Sequence, residues 1–158
     1  MKSIRSFIAA LALALVLPAA TDAATTDPEV IIYRFPGVAD DGDSNAGIAT
    51  VFHCTNFSGT TETVRFATRS FSGALIGNIT VSIQHLATKT ASTHNTLAFT
   101  FDDPPLLQIA MLGQGTTAIA ATSINIICTA MIVDAANAKP VGVALRGIRF
   151  NPIPGTQE

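Results

Sequence analysis

Tryptophan is absent from the chain, and tyrosine occurs once, at Tyr33. Faces that hold sugars do so with exposed aromatic rings, so a carbohydrate platform lacks its usual material here. Basic residues are also scarce. Nine Lys and Arg stand against eleven Asp and Glu, for a formal net charge of −2, and no basic stripe runs through the sequence. Nucleic-acid binding rests on neutralising phosphates with Lys and Arg, so this balance argues against it. Two cysteines are too few for a disulfide-dense scaffold or a Cys/His zinc cluster. There is no HExxH, HxH or GxSxG, which removes the local signatures of zinc hydrolases and of the nucleophile elbow. Beyond the first two dozen residues no apolar run reaches membrane-spanning length. Lys, Glu, Leu and Gln, the good helix formers, are sparse.

What is present begins with MKSIRSFIAALALALVLPAATDAA. Lys2 and Arg5 supply a basic start, residues 7–17 an apolar stretch too short to cross a bilayer, and Pro18 a helix break before small residues. This predicts a signal peptide over 1–23, cut after Ala23, with a cut after Ala20 as the alternative. Cleavage would remove Lys2, Arg5 and Asp22 and leave the mature chain one unit more negative. The first cysteine is Cys54, so no lipobox follows the leader, and no hydrophobic sorting tail closes the chain. The expected location is secreted or periplasmic, with no membrane insertion of the mature chain. Residues 24–28 read as a flexible lead, 29–150 as one domain, and 151–158 (NPIPGTQE) as a Pro-rich C-terminal tail.

Within 29–150 the composition is that of strands: Thr, Val, Ile, Ala and Phe, cut by Gly, Pro, Asp and Asn. The pattern predicts strands over 29–34, 47–55, 62–71, 75–85, 96–101, 123–133 and 139–150. Residues 87–93 read as a short strand or an extended loop, 106–112 as a strand or a helical turn, and 116–121 as a short strand. Ser72-Gly73 predicts a hairpin between the third and fourth strands. Phe35-Pro36-Gly37 ends the first strand in this reading, and 38–45 becomes a polar loop. Alternation places Ile48, Thr50, Phe52 and Cys54 on one face. Ile124, Ile126, Cys128, Ala130 and Ile132 share another, with Ile127, Met131 and Val133 behind them. The fold class is all-β: an antiparallel β-sandwich of immunoglobulin-like architecture with seven to nine strands. A small closed β-barrel is the alternative.

Cys54 and Cys128 each fall on the apolar face of a strand, and in an exported chain they predict one intramolecular disulfide. Their placement, one early and one late, resembles the inter-sheet bridge of immunoglobulin domains. Two departures stand out: no tryptophan packs on the bridge, and Ile126 stands where a tyrosine corner needs Tyr. Three stretches, FHCTNFSG (52–59), AIAATSINIICTAM (118–131) and RFNPIPGTQE (149–158), resemble short secreted bacterial proteins of uncharacterised function. That resemblance implies an exported bacterial origin and carries no activity or site residue with it.

The segment Asp40-Asp41-Gly42-Asp43-Ser44-Asn45 holds alternating oxygen donors at Asp41, Asp43 and Asn45, the pattern of a calcium loop. Ala46 replaces the required Gly and Phe52 the closing Glu, so the competing reading is a solvated turn and no cofactor. Asp102 and Asp103 are adjacent, and neighbours on an extended chain point to opposite faces, which does not suit a glycosidase pair. A hydrolytic site could be drawn from His94 with Asp102 or Asp103 and a nearby Ser, but nothing in the sequence selects that combination. Asn56 and Asn78 head N-x-Ser/Thr sequons. The expectation is an exported, non-enzymatic binding or structural module with an unidentified protein or surface partner. Two alternatives stand beside it: a small secreted hydrolase with a loop-assembled site, and a subunit that pairs through an edge strand.

Overall fold

A computed structural model describes residues 29–42, 44–99, 106–109, 111–139 and 141–150. The expected signal peptide, flexible lead and C-terminal tail lie outside the described residues, as do Asp43, Asp102 and Asp103. Nine strands form among the described residues: β1 (Val30–Asp40), β2 (Ile48–Asn56), β3 (Glu62–Ser70), β4 (Leu75–Ile83), β5 (Thr88–Ser92), β6 (Leu112–Ala121), β7 (Ile126–Asp134), β8 (Gly142–Leu145) and β9 (Ile148–Arg149). They build two sheets, a five-stranded one in the order β4-β3-β6-β1-β9 and a four-stranded one in the order β5-β2-β7-β8. Every named strand pair is antiparallel. The sheets face each other as a sandwich, and no barrel closes.

The core lies between the sheets because alternate residues of each strand turn inward. Phe35 of β1, Phe52 of β2 and Phe66 of β3 are among its largest buried side chains. Their rings touch in series, Phe35 to Phe52 at 5.7 Å and Phe52 to Phe66 at 5.9 Å, so the aromatic contacts cross from one sheet to the other and back. Thr68 and Thr117 meet their need for hydrogen bonds inside this core by pairing hydroxyl to hydroxyl at 2.6 Å. A smaller cluster of Ala49, Val51, Val133 and Ala135, with Phe99 and Met131, covers one end of the outer face of the four-stranded sheet. On the second face of β7, Val133 is buried in it and Met131 partly so, whereas Ile127 is 46% exposed.

Three expectations change. The first strand does not stop at Phe35 but runs on to Asp40, with irregular register around Pro36 and Val38. Its outer neighbour β9 pairs only with Tyr33 and Arg34, so Pro36 sits where that side of the strand has no partner in the ladder. The segment 96–101 does not make a strand. Leu97–Phe99 is a 3-10 turn, and the Leu97 N–H donates to the Ala135 carbonyl. This draws the chain over the sheet rather than alongside it. Finally, 139–150 splits into β8 and β9, which belong to different sheets. The chain changes sheet at Gly147, where a Cβ would lie 2.4 Å from the Phe35 ring, so only glycine fits.

Candidate functional site

The disulfide joins Cys54 and Cys128, with Cα atoms 4.2 Å apart. The two residues are directly opposed in the β2–β7 ladder, and the short separation is that of a non-hydrogen-bonded antiparallel pair. The bridge therefore lies within one sheet. The immunoglobulin-like placement across sheets does not hold, because β2 and β7 are neighbours rather than facing strands. Both cysteines are buried.

At one end of the sandwich, polar side chains gather under the β1–β2 turn. Asp41 and Ile48 exchange two backbone hydrogen bonds of 2.9 Å at the base of this turn. Gly47 adopts φ +72°, and a Cβ there would collide with the Asp41 carbonyl, so the turn requires glycine. The acid that turns inward is Asp40, the last residue of β1, and it is almost fully buried. His94, beyond the end of β5, lies beside it. Its Nδ1 is 2.7 Å from Asp40 Oδ2 and its Nε2 is 3.0 Å from the Ala46 carbonyl oxygen.

A carbonyl can only accept, so Nε2 carries a proton, and the pair's second proton lies in the Nδ1···Oδ2 bond. The imidazole thus pins the base of the turn to its tip. Threonines extend the network. The Thr50 N–H donates to Thr93 Oγ1 at 3.0 Å, and the Thr50 hydroxyl donates to the Ala39 carbonyl at 2.7 Å. A general base needs one ring nitrogen free for substrate; here both are committed to the protein itself.

Of the calcium-loop candidates, Asp41 is exposed, Asn45 is partly buried with Oδ1 lacking a hydrogen-bond partner, and Asp43 is outside the described residues. Among the described residues, no three His, Cys, Asp or Glu side chains are grouped so as to hold a metal ion. The Asp40–His94 pair was not legible as such. The signal was present, because Asp40 follows Val38 in the inward register of β1, but it required the strand to continue past Pro36-Gly37.

The other histidines occupy separate surroundings. His85 Nδ1 accepts the Gly59 N–H at 3.0 Å. His53 lies on the outer face of β2, with Nδ1 2.9 Å from Thr90 Oγ1 and its ring edge-on to Phe99 at 4.8 Å. Burial lowers the His53 pKa from its ordinary value of 6.5. Between the two values the unfolded chain binds a proton that the folded chain refuses. The associated stability is complete above pH 6.5 and falls as the pH drops through the folded value. Urea melts at about pH 7.5 and about pH 5 should show a loss on acidification that is smaller in His53→Asn than in the wild type.

Asn56 is buried, and its amide donates to the Thr60 and Ile83 carbonyls at 2.7 and 2.8 Å. This sequon asparagine is a structural tie at the opposite end of the sandwich, whereas Asn78 is exposed on β4.

The outer face of the five-stranded sheet sets Arg65 and Arg69 of β3 and Arg34 of β1 around Ala67, Ala118 and Ala120. Arg65 is ion-paired with Glu29 at 2.8 Å. Thus Arg34 of β1 shares one face with Arg65 and Arg69 of β3. Among the described residues no helix is long and apolar enough to cross a membrane. No family model, curated protein or solved structure matches the chain.

Proposed function

We propose that the chain is an exported, disulfide-stapled β-sandwich that acts by binding or as a structural module rather than by catalysis. The observation that carries this reading is the closure of the His94 ring. The one buried histidine–carboxylate pair among the described residues spends both imidazole nitrogens on Asp40 and Ala46. An arrangement that in a hydrolase would drive a nucleophile here holds a turn in place. The leader sequence and the buried bridge both suit an oxidising compartment outside the cytoplasm. Binding surfaces on such a scaffold are its loops, sheet edges and outer faces, and the arginine-bearing face is one of them.

A broad screen of esterase, protease and glycosidase substrates tests the reading. The expected result is no turnover above buffer for the wild-type protein. Turnover that is lost in His94→Ala, with the fold retained by circular dichroism, would establish the hydrolase alternative instead.

A further inference from the structure

A sandwich has four sheet edges, and three of them here are short or covered. The β9 edge is two residues long and the β8 edge four. The β5 edge is five residues long, carries Lys89, and is capped at Ser92 by a bridge to Leu106. The fourth, β4, runs for nine residues, LIGNITVSI, without a charge or a proline. Among the described residues its one strand partner is β3. Segment 106–109 passes close to Gly77, but its backbone N–H groups donate to Ser92 and Thr93, on the β5 side. Among the described residues, the devices that keep natural edges from pairing, namely shortness, charge, proline or a covering segment, are thus in place on three edges and not on β4.

We propose that β4 is a self-association edge, pairing antiparallel with β4 of a second copy about a two-fold axis at Thr80. The axis follows from the ladder. The register between β3 and β4 is irregular between Gly77 and Leu75, so the regular part of the strand is 77–83, with Thr80 at its centre. A two-fold axis there sets Thr80 opposite Thr80, Ile79 opposite Val81, Asn78 opposite Ser82 and Gly77 opposite Ile83. The three pairs nearest the axis are matched in character. Asn78, Thr80 and Ser82 are the exposed residues of the strand's outer face. Ile79 and Val81 pack partly buried against the core, so a second copy would cover the rest of them. Threonine pairs and β-branched apolar pairs are favourable cross-strand neighbours.

The antiparallel arrangement also brings the start of one strand to the end of the other. Leu75, 51% exposed, stands at one end, and Leu86, 66% exposed, lies just beyond the other. Each copy's exposed leucine is thereby carried toward its partner's. The interface is isologous, so it closes as a dimer. A single strand pair buries less than a standard interface, and association should depend on concentration.

Sedimentation velocity of the mature, disulfide-bonded chain over a wide concentration range tests this. The wild type should shift from monomer to dimer. Thr80→Lys and Thr80→Glu each place like charges face to face on the axis, and each should weaken self-association by about tenfold or more. An equimolar mixture of the two variants should associate again, because opposite charges then meet. Thr80 is exposed and faces Arg65 across β3, so if Thr80→Lys is destabilised by that neighbour, Thr80→Glu still reports. A wild type that stays monomeric throughout would overturn the proposal. So would self-association that both variants leave unchanged, or variants that fail to associate when mixed.

Discussion

Replacing Asp40 with alanine should destabilise the protein by about 1–3 kcal/mol, the usual cost of leaving the partner in a buried hydrogen bond unsatisfied. His94 would keep its bond to the Ala46 carbonyl, but Nδ1 would lose its partner. The turn would also lose its inner anchor, leaving the two Asp41–Ile48 backbone bonds to hold it. Chemical denaturation would measure the loss. Asp40→Asn keeps the shape and one acceptor, so it should cost less than alanine. Combining His94→Ala with Asp40→Ala should cost less than the two single losses added, because neither partner is then stranded. If Asp40→Ala behaved like a surface substitution, the clamp would not be a stabilising element.

Breaking the Cys54–Cys128 bridge should cost about 2–4 kcal/mol and lower the melting temperature by roughly 10 °C. The loop it closes spans 74 residues and so restricts the unfolded chain strongly. The folded ladder has less need of it, since β2 and β7 already pair from Ile48–Asp134 to Asn56–Ile126. The double variant Cys54→Ala/Cys128→Ala should therefore keep its β-sheet circular dichroism and melt earlier. An unchanged melting temperature would show that the bridge contributes little. Loss of the folded signal at room temperature would show that the ladder cannot stand alone.

The sandwich was legible because its main strands alternate cleanly. Val64, Phe66 and Ile119 turn inward as period two requires, and Cys54 and Cys128 lie on buried faces as expected. Strand neighbours were not legible. Alternation fixes which face a cysteine is on, not which strand stands beside it, and so an inter-sheet bridge and a cross-strand bridge give the same pattern. Pro36-Gly37 read as a stop because both residues usually break strands. Here a two-residue β9 leaves that side of β1 open, and the strand continues. Leu97 and Phe99 alternate as a strand would, yet the tertiary contact of Phe99 with the outer face of β2 takes precedence. The Asp40–His94 pair was hidden for the same reason as the length of β1. Its two members lie 54 residues apart, and only the continued strand turns Asp40 inward.

We propose an exported chain that folds around a closed bridge. Intact-mass spectrometry of the protein recovered from the extracytoplasmic fraction, read with and without reduction and alkylation, tests it most directly. The predicted species begins at Ala24 and gains no alkyl group until it is reduced, after which it gains two, at Cys54 and Cys128. A protein that keeps Met1–Ala23, remains in the cytoplasm and alkylates at both cysteines without reduction would contradict it.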